Sequence, residues 1–155
     1  MAEVAPAREA VLNAMRAFVG LAARSLAEVS DDVSLTQYRV LVLLEHGPQA
    51  MGRLATSLGV KPSTVTRMCD VLVEKRLIRR QPSPDNRRTV CAELTAGGRK
   101  VVSQVSARRG RLIDAALARM TPEAQDRFAR SLTEFAAAAG DQPDLAWTLG
   151  WSIDA

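Results

Sequence analysis

The chain has 155 residues, which suits one domain, or one small domain with a helical extension, and is enough to bury a core. Its 47% hydrophobic and 25% charged residues are typical of a folded globular protein, and its net charge is +4. No apolar run approaches the roughly 20 residues that span a bilayer, and the N-terminus shows no secretory pattern. Cys69 and Cys91 form neither a metal-binding cluster nor a close pair, so we expect a reduced cytoplasmic setting, no metal and no cofactor.

The first part of the chain predicts two helices. Apolar residues recur at helical spacing over about residues 7–28, which indicates a long amphipathic helix. Ser34 begins a second helix, because Gln37 three residues later completes a capping-box pattern. That helix should end at His46-Gly47-Pro48. Its expected inward stripe is Leu35, Tyr38, Leu41 and Val42.

The middle of the chain predicts a helix-turn-helix. A short helix covers about Met51 to Leu58, and Gly59 lies at the turn, where a left-handed conformation costs least. Pro62 suits the first turn of the next helix, because its missing N–H would have no partner there. We expect this helix to end near Arg76. Its expected inward stripe is Val65, Met68, Cys69, Leu72 and Leu77.

The outward side of this second helix predicts contact with DNA. Short polar residues and one arginine occupy its first turns: Ser63, Thr64, Thr66 and Arg67. The first turn of a helix in the major groove approaches base edges and phosphates most closely, and arginine can pair with guanine. Lys61 stands at the N-cap, where it cannot accept a backbone hydrogen bond, so we expect a phosphate or water there. An ordinary surface helix is the alternative interpretation.

A β-hairpin wing is predicted next. Strands at Leu77 to Arg80 and Val90 to Leu94 flank a turn-rich connection with two prolines. Near its tip lie Asn86, Arg87 and Arg88, and a basic residue there can enter the minor groove. Three flanking cations suit phosphate contact: Lys75, Arg79 and Arg80. We expect Cys69 to be a buried small hydrophobe and Cys91 to be exposed.

The distribution of charge points to the same segment. Residues 61–100 hold 10 basic and 4 acidic side chains, a net charge of +6, whereas residues 1–60 and 101–155 each carry −1. The concentration of positive charge indicates a polyanionic partner, and a solvated arginine-rich surface is the alternative.

Two more helices and a tail complete the chain. Thr95-Ala-Gly-Gly begins a helix that should reach about Arg119, and Thr121 and Pro122 begin a last one. The apolar face of the last helix is Phe128, Leu132, Phe135 and Ala136. From Gly140 the chain is a tail with Trp147 and Trp151, which we expect to dock on the protein.

In combination, three motifs resemble the MarR family of bacterial transcription regulators. They are STVTRM at the start of the second helix, R-x-x-S-x-x-NRR in the wing and LT-x-x-G after it, and the resemblance covers roughly residues 8–139. It implies a mainly α (α+β) winged helix-turn-helix fold and a cytoplasmic, nucleoid-associated homodimer that binds a palindromic double-stranded DNA operator. It also implies repression that is released by a small phenolic or lipophilic ligand, or by oxidation.

The resemblance also implies a division of the chain. Residues 1–33 and 96–139 would form a helical dimerisation region, residues 34–95 the DNA-binding domain, and residues 140–155 the tail. By analogy, candidate effector contacts lie where these regions meet, although packing or dimer contact is the alternative for each. They are Met15, Phe18, Val19, Tyr38 and Arg39.

Two positions depart from the family pattern. Asn86 occupies the position where the family has an aspartate that holds the wing-tip arginine, and an amide accepts a hydrogen bond more weakly than a carboxylate. The first helix lacks the cysteine of the oxidation-sensing branch. An effector-insensitive DNA-binding protein and a protein-interaction module remain alternatives, whereas the chain shows no phosphate loop, metal spacing or nucleophile motif of an enzyme.

Overall fold

The structure, a computed structural model, describes residues 4–83 and 89–140. Most of these residues are helical, and a small antiparallel sheet accompanies the helices, which confirms the predicted fold class. The elements in chain order are α1 (Val4–Ala27), α2 (Leu35–Leu43), β1 (Gln49–Ala50), α3 (Met51–Leu58), α4 (Pro62–Glu74), β2 (Ile78–Pro82), β3 (Val90–Leu94), α5 (Ala96–Leu117) and α6 (Pro122–Ala139). The Trp147 and Trp151 tail lies outside the described residues.

Local signals fixed the helix starts. The Ser34 hydroxyl accepts the Gln37 N–H while the Gln37 side chain accepts the Ser34 N–H, so the predicted capping box is confirmed. Thr95 and Thr121 cap α5 and α6 in the same way, through the N–H of the residue three positions later. Gly59 ends α3 at φ 65°, as predicted for the turn.

The sheet contains a strand that the sequence did not predict. β1 has only two residues, and it pairs antiparallel with β3, whose other neighbour is β2. β3 is therefore the central strand rather than one side of an isolated hairpin. The prediction that Cys91 is exposed was wrong: Cys91 pairs with Ala50 on one side and Gln81 on the other, and it is 5% exposed.

The core lies between α2, α3, α4, α5 and the sheet. It is almost entirely aliphatic, with Tyr38 as its one aromatic member among the described residues, and Cys69 is buried as predicted. In α2, Tyr38, Leu41 and Val42 are buried as predicted, but the prediction for Leu35 was wrong: Leu35 is 41% exposed, and Val40 is buried instead. The largest fully buried side chains are Tyr38, Leu41, Leu44, Leu54, Leu72, Ile78 and Leu94.

The terminal helices are less covered. Leu12, Met15 and Val19 on α1 are 51%, 56% and 61% exposed, and α6, which is fully described, buries none of its residues. By length and composition alone, Ala5–Ala27 would be long and apolar enough to cross a membrane, a test that core helices of soluble proteins also pass. Both helices therefore present apolar side chains that the other described residues leave uncovered.

Candidate nucleic-acid interface

The start of α4 has the chemical character of an anion-binding helix end. Lys61 is its N-cap, with extended backbone (φ −67°, ψ 146°), and among the described residues no side chain accepts a hydrogen bond from its first turn. The predicted lack of a side-chain cap at Lys61 is confirmed. Pro62 occupies the first turn, which contains no acidic residue. The helix dipole therefore presents partial positive charge to solvent without a carboxylate to neutralise it.

The polar residues of α4 are presented on its outer side. Ser63, Thr66 and Arg67 are exposed and Thr64 is half-buried. The Thr66 hydroxyl donates to the Pro62 carbonyl at 3.0 Å, so it can only accept from a ligand while that bond persists. On the opposite side Val65, Cys69 and Leu72 are buried in the core and fix the rotation of the helix.

The three flanking cations each have a carboxylate partner, which the sequence analysis did not foresee. Arg79 Nη2 lies 2.7 Å from Glu93 Oε2, and these residues are opposite each other in the β2–β3 pair. Arg80 Nη2 lies 2.7 Å from Asp70 Oδ1, and Lys75 Nζ lies 3.6 Å from Asp32 Oδ2. The Arg79–Glu93 pair was recognisable from strand register, whereas the other two join segments that only the tertiary fold brings together. Arg79, 63% exposed at its side chain, remains accessible to a phosphate.

The wing is described only at its base. The Ser83 N–H donates to the Thr89 carbonyl at 2.8 Å and closes the hairpin there. The predicted contacts Asn86, Arg87 and Arg88 lie outside the described residues.

The LT-x-x-G motif is the joint between α4, the wing and α5. The Thr95 hydroxyl accepts the Gly98 N–H at 3.1 Å and lies 2.7 Å from the Arg76 carbonyl oxygen, to which it donates. The Thr95 N–H donates to the Leu77 carbonyl at 3.0 Å. Gly98 is buried against that same carbonyl, so close that a β-carbon on it would lie 2.1 Å from the oxygen. The motif therefore fixes where β2 leaves the end of α4.

Within residues 4–83 and 89–140, the candidate effector residues lie in different places. Met15 and Val19 line a groove of about 480 Å³ along α1 itself. Phe18 instead lines a cleft of about 950 Å³ between α1, α5 and α6. Tyr38 is fully buried in the core, and Arg39 is half-buried.

The core contains an arginine whose burial was not predicted from the sequence. Arg109 is 6% exposed, and its guanidinium carbon lies 5.8 Å from the centre of the Tyr38 ring, within range of a cation–π interaction. Burial raises the pKa of the Tyr38 hydroxyl. The signal was present in the spacing, because Arg109 continues the buried stripe of Val102 and Val105 along α5.

Neither cysteine resembles a reactive thiol. Burial raises the pKa of the Cys69 thiol to about 11, and Cys91 is buried in the central strand β3 between β1 and β2. Because the thiolate is the form that reacts with oxidants, the Cys69 position is chemically quiet at neutral pH.

Comparison with known proteins gives a consistent result. Residues 33–90 match the family model described as the MarR family. The chain is 36% identical over 76 residues to the uncharacterised HTH-type transcriptional regulator YhbI of Bacillus subtilis, an alignment that covers 48% of this chain and 49% of YhbI. It is 33% identical over 97 residues to the HTH-type transcriptional repressor MdtR of the same organism, covering 63% of each. The chain thus spans about half to two thirds of these curated relatives.

Solved structures extend the similarity over most of the chain. RV1404 from Mycobacterium tuberculosis superimposes with a TM-score of 0.80 and 41% identity, covering 86% of this chain and 92% of that one. A MarR variant from E. coli, solved in complex with operator DNA, superimposes with a TM-score of 0.59 and 24% identity, covering 86% and 95%. The second likeness concerns the fold alone.

Proposed function

The chain belongs to the MarR family of transcription regulators, and from this premise we propose that it binds a palindromic DNA operator as a homodimer and represses transcription. The observation that carries the proposal is the exposed, polar and acid-free first turn of α4. Ser63 and Thr66 would contact phosphates, and Arg67 would reach a base edge or a phosphate. MdtR is named a repressor and an E. coli MarR variant has been solved with operator DNA, which supports the same role here.

The absence of any buried residue in α6 supports the homodimer. Most of the stability of a helix in a protein comes from packing its apolar face against another element rather than from helix propensity. α6 has 18 residues and buries none of them, while Leu132 and Phe135 are 37% and 51% exposed. A second copy of the chain, packed on α1 and α6, would cover these faces and place two α4 helices on one side of the assembly.

Two variants on α6 test the dimer. Phe135→Glu places a charge in the cleft between α1 and α6, whereas Thr133→Glu adds the same charge on the same helix at a position that does not line the cleft. Sedimentation should show a dimer for the wild type and Thr133→Glu and a shift to monomer for Phe135→Glu. A monomeric wild type at micromolar concentration would contradict the proposal.

DNA recognition is tested at Arg67, with a DNA site enriched from a random pool. Arg67→Ala should weaken binding to the enriched site more than binding to random DNA if it reads a base, and each good bidentate pair is worth about 1–3 kcal/mol of discrimination. Arg119→Ala is the control, because it removes the same charge from the turn after α5. If Arg67→Ala binds both DNAs with wild-type affinity, α4 is not part of the DNA interface.

We also propose that a small aromatic or lipophilic ligand releases the DNA. The support is the mainly apolar cleft of about 950 Å³ in a single copy, a volume in the size range of small-molecule sites; the ligand would occupy the part of it that the second copy leaves open. Benzoate and naphthoate should raise the unfolding temperature and reduce DNA binding in parallel, and Phe18→Ala should diminish both effects. If neither compound changes either quantity, the effector-insensitive alternative is favoured.

A further inference from the structure

Two consecutive arginines of β2 have opposite structural environments. Side chains alternate between the two faces of a strand, so Arg79 and Arg80 point to different sides of the hairpin. Arg79 pairs with Glu93 within the hairpin itself. Arg80 instead reaches out of the hairpin to α4, where Nη2 lies 2.7 Å from Asp70 Oδ1 and donates to the Thr66 carbonyl at 3.3 Å. The sequence alone gives the two arginines the same role, and the structure separates them.

Thr66 and Asp70 lie one helical turn apart, so they share a face of α4. The Arg80 guanidinium contacts both of these residues, and Thr66 immediately precedes Arg67, the residue proposed to contact DNA. Both contacts are made by one nitrogen, Nη2, and the planar guanidinium fixes the directions of its N–H groups, which the freely rotating ammonium of a lysine does not reproduce. The contact therefore joins the strand that leads into the wing to the proposed recognition turn of α4.

We propose that Arg80 is a positioning residue that sets the angle between the wing and the recognition helix, rather than a cation that contacts phosphate. The proposal rests on the DNA-binding function proposed above. Arg80 and Asp70 are partly exposed, at 35% and 47% of their side chains, so their pair contributes little to overall stability. Its effect is on geometry, because two elements that bind adjacent grooves must be held at the correct separation before DNA binds.

The change in DNA affinity caused by Asp70→Asn distinguishes a positioning role of Arg80 from a phosphate contact, because the two roles predict changes in opposite directions. Removing a carboxylate beside a DNA-binding surface should strengthen binding if only long-range electrostatics matters. If Asp70 holds Arg80 in place, the same substitution should weaken binding to the enriched site, by about fivefold or more, the lower end of a typical coupling between two sites. Glu93→Gln is the matched control, since it releases the neighbouring arginine without touching α4.

The complete experiment measures the affinity of wild type, Asp70→Asn, Arg80→Gln, Arg80→Lys and the Asp70→Asn/Arg80→Gln double variant against salt concentration. We expect each single variant to bind the enriched site more weakly than wild type, and Arg80→Lys to lose less affinity than Arg80→Gln. The double variant should bind no more weakly than Arg80→Gln. The slope of log affinity against log salt should stay at the wild-type value in every variant. Tighter or equal binding by Asp70→Asn would overturn the proposal, as would a slope reduced by about 0.9 in Arg80→Gln, the value for one lost phosphate contact. Wild type that binds no DNA would instead refute the proposed function.

Discussion

The Gly98 position tests how tightly the joint between α4, β2 and α5 is packed. In Gly98→Ala the new β-carbon would lie 2.1 Å from the Leu77 carbonyl oxygen and 2.8 Å from Leu94 Cδ2. The backbone oxygen cannot swing away as a flexible side chain would, so α5 and the start of β2 must separate by about 1 Å to restore ordinary contact. Overpacking a core costs typically 1–3 kcal/mol, and we expect about 3 kcal/mol here because the obstacle is backbone.

Gly97→Ala is the control, because it adds the same methyl group to the same helical turn. Its β-carbon would meet the Arg76 carbonyl oxygen at 3.4 Å, which is close to ordinary contact. Alanine also favours a helix over glycine by up to about 1 kcal/mol, so this variant should be neutral or more stable. Thermal unfolding at one fixed protein concentration should place Gly98→Ala roughly 6–12 °C below wild type. Equal unfolding temperatures for the two variants would refute the packing described for the joint.

Three further outcomes follow from the described residues. Arg76 has φ 58°, a left-handed conformation that costs a non-glycine residue roughly 1–2 kcal/mol, so Arg76→Gly should raise the unfolding temperature, and a fall would show that its side chain matters more. With the Cys69 pKa at about 11 and Cys91 buried, iodoacetamide at pH 8 should label the native protein far more slowly than the unfolded one, which rapid native labelling would contradict. The hydrogen bond from Arg108 lowers the pKa of Glu28, so the stability that this pair contributes is present above the ordinary carboxyl pKa of 4.5 and is lost as pH falls through the lower pKa of the folded state. Glu28→Gln should therefore make the unfolding temperature depend less on pH below pH 4.5. The same pH dependence as wild type in that range would argue against the pair.

The sequence was most informative where a structure depends on neighbouring residues. The bounds of α3 and β3 agree with the prediction, because Gly59 and the turn residues around them act within a few positions of the chain. The start of α2 was equally predictable, since the Ser34 capping box is complete within four residues.

The errors arose where the structure depends on distant residues. β1 is too short to show an alternating pattern, and it forms only because β3 supplies its hydrogen-bond partners from more than forty positions away. Because β1 was not predicted, Cys91 was expected to be exposed, whereas β1 covers one edge of its strand. The carboxylate partners of Lys75 and Arg80 were likewise invisible, because Asp32 and Asp70 approach them only in the folded chain.

The candidate site shows the same division. Ser63 and Arg67 could be placed on the outer side of α4 from helical periodicity alone. The predicted DNA contacts of the wing, Asn86, Arg87 and Arg88, stay predictions from the motif, since they lie outside the described residues. Continuing the helical spacing of Val102 and Val105 would place Arg109 in the core, but a buried arginine contradicts the usual rule that charge lies outside, so its burial was not predicted.

The central claim is that two copies of the chain present paired α4 helices to one DNA duplex. Selection of bound DNA from a random pool, followed by sequencing, tests it most directly. The enriched sequences should contain an inverted repeat whose half-site centres lie about one helical turn apart, roughly 10 base pairs, because symmetric dimers of helix-turn-helix proteins bind half-sites at this spacing or its multiples. Absence of enrichment, or enrichment of single half-sites without symmetry, would contradict the account.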